Sequence, residues 1–153
     1  EEKIGLINLE VTMNLARKIF GGIYLVGAVS NVIMMVFKPE IYNEFANMAL
    51  IPFYQTAWNN IVIPNLYVFI SLTIGFEAGL SLMFLLRREF LGAAFLISLG
   101  FNIGLIPFGL TFLFSNGVLV LVQIYLLWRL RNHQGYGLVG KRSRLTGAEA
   151  GSN

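Results

Sequence analysis

Glu77 is the residue of this sequence best placed to do chemistry in an apolar environment. It lies within residues 61–86, a segment that contains no Lys or Arg and exceeds the roughly 20 residues needed to cross a hydrocarbon core. A carboxyl group near the centre of a bilayer costs about 2–4 kcal/mol on insertion scales, so such residues usually have a function. We therefore expect the other helices of the chain to solvate Glu77.

Polar residues in the apolar segments recur at the spacing of a helix face. Thr73, Glu77 and Ser81 follow one another at intervals of four residues, and Asn116 and Gln123 are seven apart. Each set can therefore face the interior of a helical bundle. The candidate ligand-binding residues are Glu77, Gln123, Asn31, Asn102, Asn116 and Thr73.

The depth of these polar side chains follows from their distance to the centre of each segment, at about 1.5 Å per residue. Asn31, Asn102 and Asn116 fall in the outer half of the membrane. Glu77 and Gln123 fall in the inner half. We expect an outer ring of three amides and an inner pair in which Gln123 hydrogen-bonds Glu77.

Two main interpretations of this polar set remain open. Amides inside membranes are often ties between helices, worth roughly 0.6 kcal/mol each, and a lone carboxylic acid can donate to a neighbouring carbonyl. Alternatively, the polar residues line a cavity for a small amphipathic ligand, with Glu77 as the key group. A proton path is a third interpretation, which the lack of a second acid or a His at that depth disfavours.

Composition indicates a polytopic membrane protein. The 153 residues are 56% hydrophobic and 12% charged, whereas a soluble domain carries about twice that charged fraction. Four apolar spans are predicted, at about residues 19–37, 61–86, 90–106 and 110–127. Residues 1–131 then form an all-α bundle of four transmembrane helices. In the first span, Tyr24, Gly27, Asn31 and Met34 share one face.

The residue types argue against several chemistries. The chain has no Cys and no Asp, and its one His, His133, lies beyond the last span. Disulfides, thiol redox chemistry, a metal centre and a bis-His haem site in the membrane are therefore not expected. Basic residues flank the spans instead of forming one patch, which disfavours a nucleic-acid partner. We expect no catalytic residues and no cofactor held by the chain's own ligands, with lipid or quinone as the candidates for a bound molecule.

The connection between the first two spans, residues 38–60, carries its own pattern. Pro39 precedes an apolar stripe at helical spacing, which predicts an amphipathic helix. This helix either rests on the membrane interface or forms a lid over a cavity. The stripe consists of Ile41, Tyr42, Phe45, Met48 and Ala49. Three aromatic residues are predicted to anchor the bundle at the interfaces, namely Tyr54, Trp58 and Trp128.

The distribution of basic residues predicts the orientation. If both termini and the connection after residue 86 lie on one side, Lys38 alone of the 11 Lys and Arg residues falls on the other side. This asymmetry places both termini in the cytoplasm and the long first loop outside. Residues 1–10 are predicted to be a short amphipathic lead-in on the membrane, and residues 132–153 an extended or disordered basic cytoplasmic tail.

A combination of short motifs resembles the pattern of the DoxX-like family over about residues 16–131. It consists of an Arg before a Gly-rich first helix, and a Glu on the second helix before a Leu-rich stretch and an Arg pair. These residues are Arg17, Gly21, Gly22, Gly27, Glu77, Arg87 and Arg88. Ser81 stands where the family often has Gly, and the aromatic first loop is longer than in the shortest members. A more distant likeness to EXPERA isomerases is weakened by the presence of only one membrane carboxyl group.

The resemblance implies a four-helix bundle in a bacterial or archaeal inner membrane, associated with quinol oxidase or other redox assemblies as a partner. Our first functional expectation is therefore a non-catalytic integral subunit of a larger redox or energy-converting complex. Its partners would be membrane lipids and other membrane protein subunits. The alternative is a module that binds or transports a quinone or lipid at Glu77. A weaker variant is an oxidoreductase subunit that touches quinone directly.

Overall fold

The computed structural model describes the backbone of residues 2–149 and, within that range, the side chains of residues 10–132 apart from residue 88. The described backbone is helical with short connections and contains no strand. Its α-helices are α1 (Glu2–Phe37), α2 (Ile41–Met48), α3 (Pro52–Ala57), α4 (Leu66–Leu86), α5 (Leu91–Leu105) and α6 (Leu110–Glu149).

Four segments of the described chain are long and apolar enough to cross a membrane. They are Glu10–Phe37, Pro52–Leu86, Leu91–Phe108 and Leu110–Asn132. The prediction of an all-α bundle of four such helices is therefore confirmed. The chain is a multi-pass membrane protein by the length and composition of these helices.

The second span begins earlier than the sequence predicted. Helix α3 starts at Pro52 and continues into α4 through a π-helical turn at Trp58–Val62 and a 3₁₀ turn at Ile63–Asn65. Pro64 has no N–H to donate and its ring crowds the carbonyl four residues before it, so the helical hydrogen bonds must change register there. The prolyl residue interrupts a longer helix and does not start a new one.

The structure of the C-terminal tail differs more strongly from the prediction. Helix α6 runs to Glu149, so the expectation of an extended or disordered chain from residue 132 is wrong for residues 132–149. The remaining tail residues, 150–153, lie outside the described chain. No Pro follows Pro107, and extending an existing helix avoids the unfavourable nucleation step. For the same reason residues 2–10 continue α1 and do not form a separate lead-in element.

Aromatic packing forms the core of the bundle. Phe84 on α4 and Phe95 on α5 are fully buried, with ring centroids 5.1 Å apart. On α1, Phe20 meets the edge of Phe95, and Tyr24 stacks on Phe84 with centroids 5.9 Å apart. Leu126 of α6 completes this buried cluster. All four membrane-spanning helices therefore share one core.

The first loop is joined to the α5–α6 turn. The amide of Leu50 donates to the carbonyl of Pro107 over 2.8 Å. Gly109 closes the turn with φ of 143°, a value that favours glycine, and a Cβ there would lie 3.2 Å from the carbonyl oxygen of Met48. The turn between α5 and α6 therefore also fixes the position of the first loop.

Arg17 lies at the end of the α1–α4 pair that is farther from the first loop, where it binds the last turn of α4. Its guanidinium donates to the carbonyls of Phe84 and Leu85, at 3.3 and 3.0 Å, and to the side chain of Asn14. These carbonyls belong to the last turn of α4, where no intrahelical donor remains and where the helix dipole favours a positive charge. Arg17 thus caps α4 from a neighbouring helix.

We expect Arg17→Met to lower the free energy of unfolding by about 1–2 kcal/mol, because two terminal carbonyls lose a charged donor. Unfolding by a titration with sodium dodecyl sulfate in mixed micelles measures this change. The matched control is Lys18→Met, which removes an exposed charge and should change the value by less than about 0.5 kcal/mol. Equal effects of the two variants would show that Arg17 contributes only its charge.

Candidate functional site

A cavity of about 260 Å³ lies between α1, the loop helix α2, α4 and the α5–α6 turn. One wall is polar and contains Asn31, Thr73 and Glu77. The remaining surface is mostly apolar and rich in aromatic rings, which are Phe45, Trp58, Phe101, Phe108 and Phe112. An apolar cavity with a few convergent polar groups is the usual form of a small-molecule site.

Glu77 is the central polar group of this cavity and is 8% exposed. Its Oε2 accepts a hydrogen bond of 2.9 Å from Nδ2 of Asn31. The carboxyl group also lies against the backbone of Gly27, since a Cβ at that position would be 2.8 Å from Oε1 of Glu77. The glycine on α1 therefore makes room for the carboxyl group of α4.

The pairing of Glu77 with Asn31 has a geometric cause. Helices α1 and α4 run antiparallel, as the contacts of Arg17 with Leu85 and of Ser81 with the Gly21 carbonyl require. Side chains in a helix point toward its N-terminus. The long side chain of Glu77 therefore extends toward the C-terminal end of α1 and reaches Asn31, one turn beyond Gly27.

Helix α2 covers the cavity. The hydroxyl of Tyr42, a residue 1% exposed, donates to Oδ1 of Asn31 over 3.0 Å. Nε1 of Trp58 donates to the Tyr42 carbonyl over 2.7 Å. A chain of hydrogen bonds thus runs from Trp58 through Tyr42 and Asn31 to Glu77. The predicted loop helix is confirmed, and its inner face has the position of a lid.

Burial raises the pKa of the Tyr42 hydroxyl, and the negative charge of Glu77 adds to that shift. Since the pKa of a tyrosine is already about 10, this hydroxyl keeps its proton at neutral pH. Tyr42 is therefore a permanent donor to Asn31. Its proton fixes the amide so that the Nδ2 group faces Glu77.

Gln123 lies elsewhere, and the predicted inner pair with Glu77 is wrong. Its Nε2 donates to Ser98 at 2.8 Å, and its Oε1 accepts from Asn102 at 3.2 Å. Gln123 on α6 faces α5, whereas Glu77 on α4 faces α1. The buried hydroxyl of Tyr24 faces the same amide cluster and makes no hydrogen bond among the described residues.

The predicted outer ring of three amides is also wrong. Asn31 reaches the cavity, but Asn102 is part of the buried tie between α5 and α6. Asn116 donates to the Phe112 carbonyl of its own helix. Thr73 lines the cavity while its hydroxyl donates to the Phe69 carbonyl. Helical spacing identified inward-facing residues but could not tell which neighbouring helix each would meet.

The aromatic anchors have different surroundings. Trp58 lines the cavity and packs edge-on against Phe108 at 4.9 Å, so it belongs to the site. Tyr54 also meets Phe108, with centroids 5.0 Å apart. Trp128 is 60% exposed near the end of the fourth span, beside Tyr125. Of the three predicted anchors, Trp128 alone faces the outside of the bundle.

The α1 face predicted from helical spacing is confirmed, since Gly27, Asn31 and Met34 line the cavity and Tyr24 is buried. Sequence reasoning missed Phe108 and Phe112. These residues follow the turn after α5, and no periodic signal connects that turn with the first loop. The backbone hydrogen bond between the two connections brings their aromatic residues together.

Within the part of the chain that the structure describes, no three His, Asp or Glu side chains come together as metal ligands would. Comparisons with models of protein families, with curated proteins and with solved structures find no match to this chain. The site must therefore be interpreted from its own geometry.

The contact between Gly27 and Glu77 generates a test. Gly27→Ala forces the carboxyl group away and breaks its bond to Asn31, so the free energy of unfolding should fall by about 1 kcal/mol. Gly22→Ala is the matched control, because its Cβ would meet nothing within 4 Å.

A double-mutant cycle identifies the cause. In a Glu77→Ala background the penalty of Gly27→Ala should disappear, because the group that the new methyl displaces is gone. Detergent titrations of the four proteins give the coupling free energy. An unchanged penalty in that background would mean that Gly27 packs against something other than the carboxyl group.

Proposed function

We propose that this protein binds a small amphipathic hydrophobic molecule, of the quinone or lipid kind, in the cavity at Glu77. The observation that carries the proposal is a carboxyl group with its amide partner on one wall of an otherwise aromatic cavity. In this role the protein is a binding or transport module and catalyses no reaction.

The cavity distinguishes this function from a purely structural role of the polar residues. The amide cluster around Gln123 is closed, with each of its side chains at most 2% exposed, as expected of a tie between helices. Glu77, by contrast, has one hydrogen-bond partner among the described residues and borders open space. A costly group that faces unfilled volume is better explained by a ligand than by packing.

We also propose the orientation that the basic residues favour, with both termini in the cytoplasm and α2 outside, in a bacterial or archaeal inner membrane. The cavity then lies in the outer half of the bilayer beneath α2. Ligand would enter from the outer leaflet or from the extracytoplasmic side.

A second candidate is a non-catalytic subunit of a larger redox or energy-converting complex, as in DoxX-like proteins. Gly75 and Gly79 on α4, and Gly100 and Gly104 on α5, are pairs four residues apart with nothing within 4 Å of a Cβ position. Such pairs allow a helix of another subunit to approach closely. This open surface favours a protein partner, and the two functions are compatible.

The ligand proposal is tested by native mass spectrometry and lipid analysis of protein gently extracted from its own membrane. Wild-type protein should carry one small hydrophobic molecule, and Glu77→Gln should reduce its occupancy about tenfold through loss of a charged acceptor. The matched control is Glu89→Gln, an exposed acid paired with Arg87, which should keep full occupancy.

Equal occupancy in the wild-type and Glu77→Gln proteins would refute the binding proposal. The same sample reports on the second candidate, because a stoichiometric protein subunit would appear beside the chain. Purification of the chain alone from gently solubilised membranes would count against a complex.

The orientation is tested by cysteine labelling, for which a chain without Cys is a clean background. Asn43→Cys lies on the exposed side of α2, and Asn132→Cys is exposed at the end of the fourth span. We expect a membrane-impermeant maleimide to label Asn43→Cys in intact cells and Asn132→Cys only after permeabilisation. The reverse pattern would show that the basic side faces outward.

A further inference from the structure

The charge of the cavity wall is unbalanced. Glu77 carries the one carboxyl group among the described lining residues, which include no Lys, Arg or His. The carboxyl group has Asn31 as its hydrogen-bond partner in the described part of the chain. Burying a carboxylate is costly unless it is paired, and a cation beside Glu77 would stabilise its charged form, so the cavity is complementary to a group that brings positive charge.

The direction of the hydrogen bonds agrees with this charge. Tyr42 donates to Asn31, and Asn31 donates to Oε2 of Glu77, so each link presents a proton toward the carboxyl group. The protein uses Glu77 as an acceptor. Among the described residues Oε1 accepts no hydrogen bond, so it can accept one from a ligand, and an N–H donor is the natural complement.

The aromatic rings that line the cavity also favour a cationic ligand. Trp58 packs against Phe45 and Phe108, with centroids 5.7 and 4.9 Å away, and Phe112 packs against Phe45 at 5.5 Å. The faces of aromatic rings carry partial negative charge and attract organic cations, most strongly in a desolvated site. A carboxylate with clustered aromatic rings is suited to a cationic head attached to an apolar body.

The volume limits the size of the ligand. A water molecule in the liquid takes roughly 30 Å³, so a cavity of about 260 Å³ holds roughly nine atoms other than hydrogen. This volume fits an arylalkyl amine or the head and first carbons of a longer amphiphile. It is too small for a complete phospholipid.

We infer that the Glu77 cavity selects amphipathic organic ammonium compounds, with the ammonium N–H donating to the carboxylate and the apolar body lying against Trp58 and its neighbouring phenylalanines. This inference rests on the proposed function and narrows its ligand class to amphiphiles with a cationic head, which excludes quinones. A quinone offers only acceptors and would compete with Glu77 for protons, so it is the poorer match.

Phenethylamine and phenethyl alcohol form a matched pair of probes, because they share the same body and differ in an ammonium or a hydroxyl. The amine is protonated at pH 7, since its pKa is close to that of a Lys side chain, about 10.4. Binding is measured by calorimetry on the full chain in phosphatidylcholine nanodiscs, with empty nanodiscs as the blank. Acetophenone, which has the same number of non-hydrogen atoms as the pair, serves as the acceptor-only probe.

The amine should bind about tenfold more tightly than the alcohol, because its bond to the carboxylate is charge-assisted. Glu77→Gln should remove this preference and leave alcohol binding within about twofold. The control Glu89→Gln removes an acid outside the cavity and should keep the preference.

The outcomes separate the inference from the proposed function. If the alcohol or acetophenone binds at least as tightly as the amine, the ammonium inference is wrong and the binding function stands. If the amine preference persists in Glu77→Gln, the inference is also wrong, because the preference arises elsewhere. If none of the three probes binds, both proposals are overturned for ligands of this size.

A fluorescence measurement locates the bound amine without altering Glu77. In a Trp128→Phe background, Trp58 is the only indole, so the amine should change its emission at the concentrations that saturate the calorimetric signal. Calorimetric binding without a change in Trp58 emission would place the amine outside the cavity and contradict the inference.

Discussion

The hydrogen bond between Asn31 and Glu77 is the interaction on which the rest of the site depends. A carboxyl group within a membrane helix is unfavourable unless a partner offsets its desolvation. Asn31 can be that partner only because Gly27 lets the carboxyl group lie against α1 and because Tyr42 orients the amide. Three elements, α1, α2 and α4, therefore meet at one polar point.

The two ends of the bundle are built differently. At the end where Arg17 caps α4, the core is filled by the packed rings of Phe20, Phe84 and Phe95. Toward α2 the aromatic rings surround a space instead of filling it. The closed half gives α1 and α4 a fixed register, and this register brings Gly27 and Glu77 to the same level. A rigid core thus positions an open site.

Much of the fold follows from the sequence because long apolar runs and Pro39 are local signals. The four spans, the loop helix and the cavity face of α1 were predictable on that basis. The pairings between helices were not predictable from local signals. Periodicity shows that Gln123 points inward, but only packing shows that it meets α5, and depth counted along Cα positions ignores the reach of the Glu77 side chain.

The hydrogen bond between Leu50 and Pro107 has a kinetic consequence. Helix α2 is tethered at one end by α1 and just after its other end by this bond, so it cannot swing away from the cavity while the bond is intact. Any local opening of α2 must therefore also displace the α5–α6 turn. The proposed ligand would otherwise pass beside a fixed α2, so a backbone contact outside the cavity sets how far the site can open.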